Sequence, residues 1–210
     1  MIKAVFFDLD NCIFDTSSMG GRAIQEVKDA LAASELSDAN KEAVRQALKT
    51  DPLEDVLSRF AVPHDTAEAM RVAYRESDIP ADCVVRTYGD EQVLREWHVQ
   101  KILVTSGYKK FQTAKIDRLG IADMFDEVVI DTLDDPSTRK GKVKIFEELM
   151  SERSLRPDEV LVVGDNPRSE LGAGKQLGIK VAQTLRAGVT RWDEADYHIE
   201  HLSELEPLLK

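Results

Sequence analysis

The chain has 210 residues, a hydrophobic share of 42% and a formal net charge of −11. That length and apolar content suit one core-forming domain with room for an insertion, and the acidic balance excludes a broad nucleic-acid or anionic-membrane surface, which needs clustered Lys and Arg. Two cysteines, Cys12 and Cys83, are too few and too far apart for a zinc site or a disulfide framework, so reduced thiols in a cytoplasmic setting are expected.

The first predicted strand covers residues 4–7, an apolar run that ends in Asp8-Leu9-Asp10-Asn11. The two aspartates also interrupt what would be the apolar core of a signal peptide. No later run approaches the ~20 apolar residues that span a bilayer. Two carboxylates at this spacing share a face if the strand continues, and converge on one site if it turns. They repel, and persist as anions only beside a cation or a firm hydrogen-bond network. The competing reading is a strand followed by an ordinary Asp/Asn turn.

Residues 16–79 carry helix signals and no convincing strand. Ile24, Val27 and Leu31 repeat at helical spacing. Asp38 is expected to cap a helix bearing Val44, Ala47 and Leu48. Asp51-Pro52 reads as a cap followed by proline at the first helical position, with Val56, Leu57 and Phe60 inward. Asp65 with Glu68 resembles a capping box ahead of Met70, Ala73 and Tyr74. We read this block as an all-helical insertion that returns near Ile79-Pro80 and serves as a lid beside the Asp8/Asp10 edge.

From residue 80 onward strands and helices alternate. Strands are predicted at 102–104, 128–130, 160–163, 180–184 and, weakly, 197–199. Helical faces are formed by Val93, Leu94 and Trp97, by Phe111, Ala114 and Arg118 with Gly120 as a stop, by Ile145, Phe146, Leu149 and Met150, and by residues 171–177 with Gly178 as a stop. Such alternation implies crossover units and a mostly parallel sheet. The expected fold is therefore α/β, Rossmann-like, with a core of residues 1–15 and 80–210 and a helical cap of residues 16–79.

Three of the predicted strands end in residues suited to phosphate or metal chemistry: Asp8, then Thr105-Ser106-Gly107, then Gly164-Asp165-Asn166. If these strands are parallel neighbours, their ends meet at one edge of the sheet. Thr105 and Ser106 read equally as a helix cap and as anion donors. Arg139-Lys140-Gly141-Lys142 precedes a helix, where a lysine opposes the macrodipole unless an anion is near; a solvated basic loop is the plainer alternative. Asp165 is a candidate metal ligand. Glu170, early in the next helix, is a candidate for orienting a metal-bound water or the lysine, although acids favour a helix N-terminus in any case.

Taken together, these segments resemble the haloacid dehalogenase superfamily of hydrolases. Asp8-Leu9-Asp10 resembles its first motif, Thr105 its second, Lys140 its third (with Lys142 a substitute), and Gly164-Asp165 with Glu170 its fourth. The helical block resembles the cap inserted after the first motif in one large branch. Cys12, Glu170 and Lys140-Gly141 depart from commoner residues without removing a group the chemistry needs.

The resemblance implies Mg²⁺-dependent hydrolysis of a small phosphorylated metabolite through an aspartyl-phosphate. Asp8 is the expected nucleophile and Asp10 the acid and base. Asp8, Asp165 and the Asp10 backbone carbonyl are the expected metal ligands, and Thr105, Ser106 and Lys140 the expected phosphate contacts. A dehalogenase of this kind lacks the second aspartate, so Asp10 argues against one. A phosphosugar mutase keeps both aspartates and remains a rival, as does a binding protein that has lost catalysis. No nucleic acid or membrane is expected as a partner.

Overall fold

In the computed structural model, residues 1–48, 52–135 and 137–209 are described. Six strands form one sheet: β1 (Ala4–Phe7), β2 (Gln100–Gly107), β3 (Glu127–Thr132), β4 (Val160–Gly164), β5 (Lys180–Thr184) and β6 (Tyr197–Ile199). Their order is β3-β2-β1-β4-β5-β6, and every neighbouring pair is parallel. Helices α1 (Thr16–Met19), α2 (Gln25–Ala32), α3 (Asp38–Ala47), α4 (Leu53–Arg59) and α5 (His64–Glu76) fall between β1 and β2. Helices α6 (Lys109–Leu119), α7 (Lys142–Glu152) and α8 (Glu170–Gln176) connect successive strands from β2 to β5, and α9 (Glu206–Leu209) follows the sheet.

The parallel sheet explains why its strands read as unbroken apolar runs. Covered on both faces, it has no polar side to alternate with. All four residues of β1 are buried. Phe6 packs against Phe146 of α7 with ring centroids 5.2 Å apart. Phe7 points the other way, toward Trp97 and Phe125 at 6.2 and 5.8 Å. The even-numbered residues Ala4, Phe6, Ile102, Val104, Val160 and Val162 form one core with Ile145, Phe146 and Leu149 of α7 and Leu171 of α8. Helix α6 packs against β2 and β3. Order 3-2-1-4 with reversal at β1/β4 opens a crevice at the carboxyl ends of those two strands.

The chain divides into two compact units, residues 1–18 with 85–210, and residues 19–84. The limits lie a few residues later than 16–79. Among the described residues, the second unit contains helices and no strand. Within it Val27, Leu31, Val44, Leu48, Val56, Leu57 and Met70 are buried, while Ile24, Ala47, Phe60, Ala73 and Tyr74, read onto the same faces, are half-buried.

Local details differ from the sequence reading. Ser37, not Asp38, caps α3, its hydroxyl accepting from the Asn40 N–H at 3.3 Å. Asp38 becomes the first helical residue, because serine one position earlier meets the same donors. Asp65 and Glu68 form no capping box; α5 starts at His64 behind Pro63, whose fixed φ already sets the turn. Pro52 precedes the first helical residue of α4, and Asp51 lies outside the described residues. Val93 and Leu94 belong to a 3₁₀ segment, Glu91–Glu96, rather than an α-helix, and Trp97 follows it in extended conformation. Gly120 is the left-handed stop of α6 that was expected, with φ 63°. Among the described residues no helix is long and apolar enough to cross a membrane.

Candidate active site

Asp8 continues the alternation of β1 and so turns toward the side occupied by α7 and α8. Its backbone N–H donates to the Val163 carbonyl at 2.9 Å, extending the β1–β4 pairing to the last residue of the run. On that side wait the first residue of α7, Lys142, and the first residue of α8, Glu170. Lys142 Nζ donates to Asp8 Oδ1 and, at 3.3 Å, to Glu170 Oε2. All three side chains are buried. Glu170 Oε1 in turn accepts the Asn166 N–H at 2.7 Å, which ties the loop after β4 to the start of α8.

Glycine makes this approach possible. A Cβ on Gly164 would stand 2.3 Å from Glu170 Oε1 and 2.5 Å from its Cγ. Only a residue without a side chain lets the glutamate pass across the end of β4.

Asp165 completes the cluster. Carboxylate oxygens of Asp8, Asp165 and Glu170 all lie within 4.8 Å of one another. Asn11 Nδ2 donates to Asp165 Oδ2 at 3.3 Å, while Asn11 Oδ1 accepts from Thr16 Oγ1 at 2.5 Å. Asn11 has φ 54°, a left-handed conformation that asparagine tolerates and that a tight turn demands. In that turn Ile13 and Phe14 donate their N–H groups to the Leu9 carbonyl at 3.1 and 2.9 Å.

The electrostatics follow from three carboxylates around one ammonium. Burial pushes the Asp8 carboxyl up to about 8; Lys142 pulls it down, while Glu170, Asp10 and Asp165 add to the rise. Burial, then Glu170, push Asp165 up to about 7. Burial disfavours the Lys142 charge, but Asp8 and Glu170 outweigh it and hold the ammonium above the usual lysine range. Three carboxyl groups crowd one ammonium, and burial with mutual repulsion keeps Asp8 and Asp165 from ionising as readily as free carboxyls. Hard, oxygen-only donors of this kind suit a small divalent cation such as Mg²⁺.

Thr105, at the end of β2, has the opposite parity to Ile102 and Val104 and faces α6. It is buried, and its Oγ1 accepts from Gln112 Nε2 at 2.7 Å. Gln112 also donates to the Ser106 carbonyl at 2.9 Å and to Asp10 Oδ2 at 3.3 Å. Gly107 gives it room, since a Cβ there would stand 2.8 Å from Gln112 Cγ. Asp10 is held further by Lys115, whose Nζ lies 2.7 and 3.0 Å from its two oxygens. The Asp10 side chain is thus engaged by α6 and stands outside the three-carboxylate cluster.

Lys140 does not reach this site. It is exposed, and its Nζ donates to Glu148 Oε2 at 2.6 Å. The lysine beside Asp8 is Lys142. Buried Asp131, in β3, accepts the Lys140 and Gly141 N–H groups at 3.1 and 3.2 Å. Held there, with Gly141 at φ 77°, the loop delivers the next residue to the head of α7. Arg22 is exposed and pairs with Asp82. His198 contacts the Trp192 carbonyl at 2.9 Å.

Gln112, Lys115 and Asn11 were not singled out by the sequence. The face read for α6 was Phe111, Ala114 and Arg118, whereas the structure buries Phe111, Gln112, Lys115 and Ile116. Two polar residues on a buried face are the signal that was available; their partner lies about a hundred residues away in sequence.

A doubly wound sheet whose central strand ends in Asp-x-Asp, with Lys and a second acidic pair converging on it, defines a class of α/β hydrolase sites. The chain belongs to the haloacid dehalogenase-like hydrolase family, whose model matches residues 5–184. Among known proteins it is 28% identical to the glyceraldehyde 3-phosphate phosphatase of Methanopyrus kandleri, across 89% of this chain and 85% of that one. It is 25% identical to the glyceraldehyde 3-phosphate phosphatase of Methanocaldococcus jannaschii, across 100% and 98% of the two chains. Among solved structures, a HAD phosphatase from Thermococcus onnurineus superposes with a TM-score of 0.65 and 26% identity, covering 99% of this chain and 98% of its own.

Proposed function

We propose that the chain hydrolyses small phosphomonoesters by way of a phosphoryl group carried on Asp8, with glyceraldehyde 3-phosphate the first substrate to test. The observation that carries this is the buried Asp8–Lys142–Glu170 contact beside Asp165, with Asp10 held two residues further on. Relatives of nearly full length named as glyceraldehyde 3-phosphate phosphatases support the substrate.

In this reading an Asp8 oxygen attacks phosphorus and the leaving oxygen departs with a proton from Asp10. Water then attacks the aspartyl-phosphate, giving its proton to Asp10, and phosphate leaves with Asp8 restored. In this reading Lys142 and Thr105 are the groups that bind phosphoryl oxygens, and a fixed ammonium offsets charge as it spreads over them. Glu170 keeps Lys142 in place. Asp8 and Asp165 are the residues that would hold Mg²⁺. Bound there, the ion supplies neutralising charge for the phosphoryl oxygens and for the crowded carboxylates.

The test is phosphate release from glyceraldehyde 3-phosphate and p-nitrophenyl phosphate, with Mg²⁺ and with a chelator. Wild type should turn over only with the metal, and Asp8→Asn should be inactive. An Asp8→Asn protein as active as wild type would end the proposal.

A further inference from the structure

Lys115 has no part in the chemistry just described, yet its placement is costly. It lies in the middle of α6 and is 6% exposed. A buried ammonium is kept only where it is paired. Its sole ion-pair partner among the described residues is Asp10, to which it makes the two contacts of 2.7 and 3.0 Å. The ammonium is also flanked by aromatic rings, 5.4 Å from the centroids of both Phe14 and Phe111. The Asp10 side chain itself is 31% exposed. Without the ammonium it would keep only the 3.3 Å contact from Gln112 Nε2 to one of its oxygens.

Resting on the reading of the chain as an aspartyl-phosphate hydrolase, we infer that Lys115 is a positioning residue for the second half-reaction. It fixes the Asp10 carboxylate in the orientation from which that group takes the proton of the attacking water. In this step the water oxygen bonds to phosphorus and the bond from phosphorus to the Asp8 oxygen breaks. One water proton passes to an Asp10 oxygen, and Asp8 is left as its carboxylate. The two contacts from Lys115, one to each oxygen, set the direction in which the Asp10 carboxyl group faces. The rings of Phe14, from the turn after β1, and Phe111, from α6, fix the ammonium in turn. Holding a base in place converts a search over orientations into a ready geometry.

The experiment is rapid-quench kinetics on the full-length protein with p-nitrophenyl phosphate and Mg²⁺. Nitrophenolate leaves without needing a proton, so the first step proceeds even when Asp10 is misplaced. Lys115→Met should release about one equivalent of nitrophenol in a burst and then turn over at least ~tenfold more slowly than wild type, within the ~10²–10⁴-fold that a general base supplies. Acid quench should trap accumulated phosphoenzyme. Asp10→Asn should show the same burst, the double variant should be no slower than Asp10→Asn alone, and Lys115→Arg should recover most of the loss. A Lys115→Met protein whose burst and steady-state rates fall together, or that matches wild type, would overturn the role of Lys115 and leave the phosphatase reading standing. Wild type inert toward both p-nitrophenyl phosphate and glyceraldehyde 3-phosphate would overturn the phosphatase reading, and this inference with it. Should Lys115→Met fail to fold, Lys115→Gln and the charge-free double variant are read the same way.

Discussion

Lys142 and Lys140 are separated by one glycine, and their surroundings could hardly differ more. Lys142 is enclosed with Asp8 and Glu170, whereas Lys140 is exposed on Glu148. Removing Lys142 leaves two buried carboxylates without their counter-charge, a loss of about 3–5 kcal/mol. Lys142→Met should therefore lower the denaturation midpoint in metal-free buffer and cut kcat/KM by about 10²-fold or more. Lys140→Met should leave both the denaturation midpoint and turnover unchanged. Urea melts and steady-state assays on the pair decide it, and equal losses would mean that the lysine has been assigned to the wrong position. Gly164 makes a sharper point about a single atom. Gly164→Ala puts a methyl into the Glu170 carboxylate, so the glutamate must move and Lys142 loses a partner. The expected outcome is a loss of about 1–3 kcal/mol in urea unfolding together with reduced activity.

The helices differ in how openly their sequences announce them. Strands β1 and β4 are the most legible because burial on both faces forces unbroken apolar runs. The stop of α6 is legible because glycine takes φ 63° at no steric cost. The inner face of α6 was misjudged because two of its inward residues, Gln112 and Lys115, are polar, and a periodicity count treats polar residues as solvent-facing. Helix α8 carries a similar trap. Gly174 sits in its interior, where alanine is worth about 1 kcal/mol more in an isolated helix. Here an added Cβ would meet Val181 Cγ1 at 2.6 Å and Val162 Cγ2 at 3.2 Å. Overpacking against β4 and β5 outweighs the propensity gain, so Gly174→Ala should destabilise by about 1–3 kcal/mol in a chemical melt. A stabilised variant would show that α8 can move off the sheet at little cost.

Considered as one titrating body, the chain sets buried acids against surface pairs. Asp8 and Asp165, pushed up to about 8 and about 7, lie above the ordinary carboxylate value of about 3.9. Their contribution to stability is complete below that value and is lost as pH rises through 7 and 8. Asp15 runs the other way. Its partial burial favours the neutral form, but hydrogen bonds from Ser17 and Arg86 outweigh that and lower it, so its contribution is present at neutral pH and lost in acid. In metal-free buffer, Asp8→Asn should gain on wild type in thermal stability between about pH 6 and about pH 8.5. Mg²⁺ and protons compete for the same oxygens, so saturating Mg²⁺ should raise the wild-type Tm more at the higher pH. Scanning calorimetry at both values, with and without the ion, checks it; a Mg²⁺ shift independent of pH would mean that these carboxylates do not hold the metal.

The order of apolar runs and the residues that end them were enough to read the parallel sheet, the helical insertion and a common edge for Asp8 and Asp165, because strand burial and strand-end chemistry are written locally. Which lysine reaches Asp8, and what holds Asp10, required the folded chain. Those choices depend on where α7 begins and which way α6 faces, and each joins residues about a hundred positions or more apart whose identities carry no mark of one another until the sheet brings them within hydrogen-bonding distance.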